Sequence, residues 1–373
     1  MPRALRPDGK VDWDREGELA LLDLLGELHA VPWPEAVARI SNKSWKDFGK
    51  VQPLQLDEAR RRLLARPPGD PERIERDQTS HPTPAITYRL ENPRLPPTPF
   101  DDERGRRRSL HRSLLGWTGD PAGCGHHAER VVIESLYAAA GRGQLLVPTQ
   151  RRGQIRAVNS YPFSRGPLDA LAYLPDIASD PQTPGPMVPM VVEVKNVYEW
   201  IYPWSQPLWE LLVKTAEVGQ HIKLLPVLAC PNSAFMARWM GEDIGFLRAR
   251  YGHQLFTDKA DKISPGRFEL VRTEFNLDAV QHPVAPFPLL TEFFKEQPRG
   301  GRPPRYQVLS ARFHKLSKVI LRFGALASAL KPPTRRAVHN AFMAAARQEA
   351  DWGFQGGWQA ALSSASDQNS DTN

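Results

Sequence analysis

The chain has 373 residues, room for two or three domains at roughly 100–200 residues each. Apolar residues make up 41% and charged residues 24%, so a sizeable core can form; the 36 prolines, about twice the usual ~5%, point to irregular connectors and sharply cut helices, not to a collagen-like or wholly disordered chain. Lys+Arg 49 against Asp+Glu 42 gives +7, a balance that favours polyanion partners. Only Cys124 and Cys230 are present, too few for a disulfide scaffold, and no stretch approaches the length of apolar run that crosses a bilayer. With no apolar segment at the N-terminus either, the expectation is a soluble cytoplasmic protein with no membrane partner.

Residues 1–66 read as a helical region. Leucines and alanines recur at helical spacing from Asp14 to Ala30, Pro34 can open a second helix running toward Lys46, and Asp57 to Arg66 forms a third. A helical clamp on the main domain is the simpler reading, because no turn signature fixes a helix-turn-helix geometry. Residues 67–115 read as a Pro-rich connector with one strand-like run, Ala85 to Leu90, followed by a basic cluster, Arg104, Arg106, Arg107, Arg108 and Arg112, expected as solvated charge.

Residues 116–282 change character. An amphipathic helix is expected over His126–Ala140, strands over Gln144–Pro148, Arg152–Asn159 and Leu168–Leu174, and a buried β-branched strand over Met190–Val197. Pro207–Lys223 follows as a helix, Leu224–Cys230 as a short apolar strand, Ser233–Arg248 as a helix and Phe268–Phe275 as a strand. Helix, three strands, helix, strand is an α/β core.

Residues 283–352 read as a basic helical region and 353–373 as a disordered polar tail. Between Gln297 and Gln348 there are eleven Lys/Arg and no Asp or Glu, so the remainder of the chain carries 7 − 11 = −4. Charge concentrated in this way suits a polyanion-binding face, with Arg312, Lys315, Lys318, Arg322, Lys331, Arg335 and Arg336 as candidate nucleic-acid contacts.

The chemistry centres on Glu193-Val194-Lys195. Strand alternation places Glu193 and Lys195 on one face, and two charges in a Val-rich strand are costly without partners or a metal. The tripeptide alone carries little information; its context carries more. Asp169 stands at the mouth of the preceding strand, 193 − 169 = 24 residues upstream, enough for a hairpin that sets it beside Glu193. Glu129 lies at the edge of the buried stripe of the first helix, whereas Glu134 falls on the solvent side. Three acids and a lysine at one sheet edge have the hard oxygen donors that suit Mg²⁺. A strand-end ion-pair network without chemistry is the competing reading.

These pieces resemble the PD-(D/E)xK nuclease superfamily, with its restriction-endonuclease-like mixed-sheet core (α-β-β-β-α-β): Glu129 in the first helix, GPLD ending at Asp169, EVK from Glu193 to Lys195, the next helix with Gln220, and the strand LLPVLAC. The resemblance covers roughly Gly125 to Cys230. Leu168 separates Pro167 from Asp169, a departure from the motif; the literal Pro175-Asp176 enters a loop, so Asp169 is preferred. The resemblance implies Mg²⁺ held by Asp169, Glu193 and the Val194 carbonyl, with Mn²⁺ able to substitute. It implies that Lys195 positions the attacking water, that Glu129 assists through a water, and that Gln220 orients Lys195 or substrate. The expected activity is Mg²⁺-dependent hydrolysis of DNA, with RNA not excluded, in foreign-DNA defence or recombination and repair. A non-catalytic nucleic-acid-binding protein on a degenerate nuclease fold, a subunit of a larger complex and a homodimer stay open.

Cys124, His126 and His127 lack a second ligand pair at finger spacing and are read as a capped helix start with a reduced cysteine. No GxxxxGK[ST] exists, which excludes a P-loop. Tyr198, Trp200, Tyr202, Trp204 and Trp209 crowd behind the EVK strand, either as core packing or as a base-stacking cluster.

Overall fold

The computed structural model describes residues 4–42, 51–76, 86–91, 97–118, 125–143, 145–149, 155–175, 187–197, 200–251, 254–256, 269–271, 273, 277–279, 303–329 and 332–354. The chain divides into two units, Met1–Cys124 with His253–Ala279, and Gly125–Gly252 with Val280–Asn373. Helices and strands mix in both, so the protein is mixed α/β. Among the described residues no helix is long and apolar enough to cross a membrane.

In the first unit, Asp12 caps α1 (Trp13–Leu28) by accepting from the Arg15 N–H, and the stripe Ala20, Leu21, Leu24, Leu25 and Leu28 is buried. β1 (Ala30–Pro32), α2 (Trp33–Val37, continued by a π-helical turn Ala38–Asn42), α3 (Pro53–Ala65), β2 (Ile74–Arg76), β3 (Thr87–Leu90) and α4 (Pro97–Thr118) follow. The strands form an antiparallel sheet of order β1-β3-β2, and its Val31, Ile74 and Tyr88 share a core with Leu24, Leu25, Leu56 and Leu63 of the helices. Residues 1–66, expected to be helical, therefore contribute one strand, β1, while β2 and β3 lie in the 67–115 segment, where β3 falls on the expected strand-like run Ala85–Leu90. Strands of three or four residues are too short to show a period.

The connector reading fails over α4, whose 22 residues form one helix that packs against β1. The basic cluster on it is not simply solvated charge. Arg107 and Arg108 are buried: Arg107 reaches Glu35 at 2.5 Å and Glu103 at 2.6 Å, while Arg39 reaches the same Glu35 at 2.9 Å. A buried carboxylate can retain its charge only with such partners. Arg104 and Arg106 pair with Asp101 and Glu103 on their own helix, and Arg112 is exposed.

The second unit runs α5 (Gly125–Ala140), β4 (Ala157–Val158), β5 (Tyr161–Pro162), β6 (Ala170–Leu174), β7 (Val188–Val194), α6 (Gln206–Gly219), β8 (Leu225–Cys230), α7 (Phe235–Ile244), β9 (Leu247–Arg250), α8 (Arg305–Ala329) and α9 (Pro332–Glu349). Its sheet has the order β6-β7-β8-β9, antiparallel at β6-β7 and parallel in the other two pairs. All seven residues of β7 are buried, which explains its near-continuous apolar run. Among its described residues, 145–148, the expected strand Gln144–Pro148 contributes a bridge, Leu146 opposite Tyr173, and no named strand. Arg152–Asn159 reduces to the Ile155 bridge and β4, with Asn159 in the turn of the β4–β5 hairpin. The helix expected over Ser233–Arg248 stops at Ile244: Gly245 adopts φ +92° and donates to the Gly241 carbonyl, and the chain re-enters the sheet as β9.

The expected strand Phe268–Phe275 is instead helical at 269–271 and 273, with its other residues outside the described set. Two short parallel strands, β10 (Gln254–Phe256) and β11 (Leu277–Ala279), belong to the first unit, so the 116–282 segment divides between the two. The 283–352 region is not separate: α8 packs on α6, α7 and β8, and α9 packs on α8, within the same unit as the central sheet. The tail from 355 onward lies outside the described residues, as does Cys124.

In the aromatic cluster Trp209 serves packing, while Trp200, Tyr202 and Trp204 stay partly exposed. Trp209 is fully buried and meets Phe342 edge-to-face at 5.1 Å, and Tyr202 stacks on Trp204 at 5.3 Å with Arg336 over the same indole. Tyr198 lies outside the described residues.

The α6–α8 contact is close because it is built on glycine. A Cβ at Gly219 would stand 2.6 Å from Ser317 Oγ and 2.9 Å from Phe313 Cε1, and one at Gly324 would meet Val213. Gly219→Ala should therefore cost about 1–3 kcal/mol, read as a lowered midpoint in denaturant unfolding at an unchanged slope. A midpoint equal to that of the parent would show that the two helices part without penalty.

Candidate active site

Asp169 immediately precedes β6, and its backbone and side chain both engage β7. Its N–H donates to the Val192 carbonyl at 3.0 Å, and its Oδ2 accepts from the Val194 N–H at 2.6 Å. The carboxylate thus supplies a ladder acceptor where strand pairing ends. Register does the rest: Ala170 opposes Val192, which brings Asp169 alongside Glu193 as the 24-residue separation implied. Asp176 lies outside the described residues.

Glu193 is only 4% exposed. Its Oε1 pairs with Lys195 Nζ at 2.8 Å, the neighbour two residues on along the same strand face. A second ammonium, absent from the sequence reading, completes the arrangement. Lys214 Nζ reaches Glu193 Oε1 at 3.2 Å and Oε2 at 3.4 Å, and donates to the Pro167 carbonyl at 3.4 Å. Glu210, one helical turn before Lys214 on α6, lies 3.7 Å from Lys195. The signal was present in the sequence: Gln206, Glu210, Lys214 and Glu217 form a polar stripe at near four-residue spacing on an otherwise apolar helix.

Burial is the first reason that the Asp169 carboxyl is pushed up to about 7; the charge of Glu193 and, more weakly, that of Glu129 add to it, against the Val194 N–H and Lys195. Glu129, half-buried on α5, is thus within electrostatic reach of Asp169, while Glu134 is exposed near Arg130 at 3.8 Å. For Lys195, burial disfavours the ammonium, but Glu193, Glu210 and Asp169 outweigh it and hold the pKa above the ordinary lysine value. The Tyr251 hydroxyl steadies the segment after the strand by donating to the Lys195 carbonyl at 3.3 Å. Cys230 is buried and its thiol is pushed up to about 11, which makes it a core residue and not a nucleophile.

Gln220 is not brought to this cluster. It caps α6, and its side-chain amide donates to the Glu217 carbonyl at 3.2 Å. Lys214 stands where the sequence reading wanted Gln220. For Val194 the placed contact is its N–H, not its carbonyl.

Among the described residues no three His, Cys, Asp or Glu side chains converge to hold a metal ion. Asp169 and Glu193 are nevertheless a pair of hard oxygen donors set side by side, and the part of the Asp169 shift that comes from the Glu193 charge, after burial, is the kind that a cation relieves. Both Glu193 oxygens already accept from lysines, and the Asp169 Oδ2 accepts from the Val194 N–H.

The basic C-terminal candidates have differing fates. Arg335 is buried and donates to the Ala327 carbonyl at 2.9 Å, and Arg312 donates to the Glu242 carbonyl and lies over Trp352. Both guanidiniums act as internal hydrogen-bond donors; Arg335 is buried, which sets it apart from the other candidate nucleic-acid contacts, while Arg312 stays partly exposed. Lys315 pairs with Asp351 at 2.7 Å, Arg336 covers Trp204, and Lys318 and Arg322 are exposed. Lys331 lies outside the described residues.

No family model, curated protein or solved structure matches this chain.

A carboxyl protonated in the folded state near pH 7 but ionised near pH 4 when unfolded stabilises the fold at low pH and loses that contribution as pH rises through about 7. Asp169→Asn keeps an acceptor for the Val194 N–H and cannot ionise. The thermal midpoint of the parent should therefore fall between pH 4 and 7 relative to that of the variant. Parallel profiles would remove the buried-acid assignment.

Proposed function

We propose that this chain is a metal-dependent nuclease with a PD-(D/E)xK-type, restriction-endonuclease-like core in its second unit, acting on DNA. What carries the reading is the Asp169–Glu193–Lys195 arrangement: two carboxylates held side by side by strand register, and an ammonium held charged beside them. The order helix α5, bridge at Leu146, β6, β7, crossover helix α6 and parallel strand β8 supports it.

In this reading Asp169 and Glu193 hold Mg²⁺ or Mn²⁺, which when bound polarises a phosphoryl oxygen and lowers the pKa of a ligated water. Lys195 stays protonated and screens the charge that develops on phosphorus. Lys214 fixes the Glu193 carboxylate, and Glu129 adds negative potential beside Asp169. Exposed Lys318 and Arg322 remain for the phosphate backbone, with affinity that falls with salt.

A second reading has an observation of its own. Glu193 is buried and both its oxygens are taken by lysines, which is also what a purely structural ion-pair network requires.

The test is cleavage of supercoiled plasmid in Mg²⁺, Mn²⁺ and EDTA, with Asp169→Asn, Glu193→Gln and Lys195→Met, each checked for folding by its melting midpoint. Metal-dependent nicking that falls at least about a hundredfold in folded variants supports the nuclease. Cleavage that is indifferent to EDTA or to all three substitutions would sink it, and so would its absence in the parent on plasmid, single-stranded DNA and RNA alike.

A further inference from the structure

From Gly141 to Leu168 the chain carries five arginines, Arg142, Arg151, Arg152, Arg156 and Arg165, and not one Asp or Glu. This acid-free run leads directly into Asp169. Its described residues include the β4–β5 hairpin, which pairs Ala157 with Pro162 and Val158 with Tyr161. Two-residue strands are marginal by themselves, yet this hairpin is braced at both ends. At its tip, Asn159 and Ser160 take φ +48° and +74°, a region usually left to glycine, and Asn159 Oδ1 accepts from the Tyr173 hydroxyl at 3.3 Å. At its base, Glu217 of α6 accepts from the Ser164 N–H at 3.1 Å, the Ser164 hydroxyl at 2.8 Å and Arg165 Nε at 2.9 Å. Glu217 sits one turn from Lys214, whose ammonium is on Glu193.

What the braced hairpin presents is aromatic and basic. The Tyr161 ring is 38% exposed and stacks on the exposed His221 ring, with centroids 5.0 Å apart and planes 7° from parallel. Arg156 and Lys223 are exposed, and Arg165 keeps about half its side chain in solvent. Parallel rings at a surface, on a hairpin segment that carries Arg156 and Arg165 and no Asp or Glu, suit an unpaired base with its phosphate. Stacking accepts any base, but requires one that is not already stacked in a duplex.

The geometry points to the Tyr161–His221 pair, with Arg156 and Lys223, as a platform for unpaired nucleotides of a single-stranded nucleic acid entering the Asp169–Glu193 site. This deepens the nuclease reading and rests on it for the direction of the strand.

The test is fluorescence anisotropy in EDTA, where no cleavage is needed, with a labelled single-stranded oligodeoxynucleotide, the same sequence as RNA, and its DNA duplex. The parent should bind one or both single strands more tightly than the duplex. Tyr161→Ala with His221→Ala should weaken single-strand binding about tenfold or more, and Tyr161→Phe should retain it. Arg156→Gln should lower the salt slope of log K by about one unit. If the alanine variant melts early, Tyr161→Leu, which keeps bulk but has no ring face, takes its place. Duplex bound as tightly as single strands, or ring-deleted variants that bind as the parent does, would overturn the platform. Because binding is read without metal, a failed cleavage assay leaves this outcome readable, and a failed platform leaves cleavage untouched.

Discussion

The second unit is organised around one buried carboxylate. Glu193 lies in a fully buried, otherwise apolar strand inside the sheet, where an uncompensated charge would be prohibitive. Two ammoniums resolve this, one from its own strand face and one from the crossover helix. The requirement explains several local features together: why Lys195 follows at the second position, why α6 carries a polar stripe, and why Lys214 also ties down the Pro167 carbonyl at the entry to Asp169. The neighbouring Asp169 is buried as well, and burial first, then the charge of Glu193, push its carboxyl up to about 7 against the opposing pull of the Val194 N–H and Lys195.

The C-terminal helices take on a different meaning once packed. Their charge, read as a binding face, is partly structural. Arg335 and Arg312 satisfy backbone carbonyls and Arg305 pairs with Glu242, so these cations join elements within the unit. An acid-free segment therefore need not be a polyanion surface; each cation has to be followed to its acceptor. The same holds for α4, where Arg107 answers a buried Glu35.

How much was legible follows from the physics of each element. The amphipathic α1, α5 and α6 and the apolar β7 and β8 announced themselves by periodicity, and Asp169, Glu193 and Lys195 came together because strand alternation and a 24-residue hairpin constrain them strongly. What sequence spacing could not supply was depth along a helix. Gln220 and Lys214 lie on the same α6 segment, and only packing decides which reaches the strand. Three-residue strands such as β1 and β2 have no period to read. β9 was hidden because a left-handed Gly245 converts a helical run into a strand within two residues.

The glycine contacts of α6 have a consequence for the order in which the site can be assembled. Val213 meets Gly324 and Gly219 meets Phe313 and Ser317, so Lys214 lies between two points at which α6 is keyed to α8. A helix keyed at its middle and at its C-terminal end resists sliding and rolling, which limits where its lysine points. During synthesis, however, α8 emerges long after the sheet residues have left the ribosome. The contacts that key α6 from that side are therefore made by one of the last helices to be synthesised, after the packing of α6 on β8 is already possible.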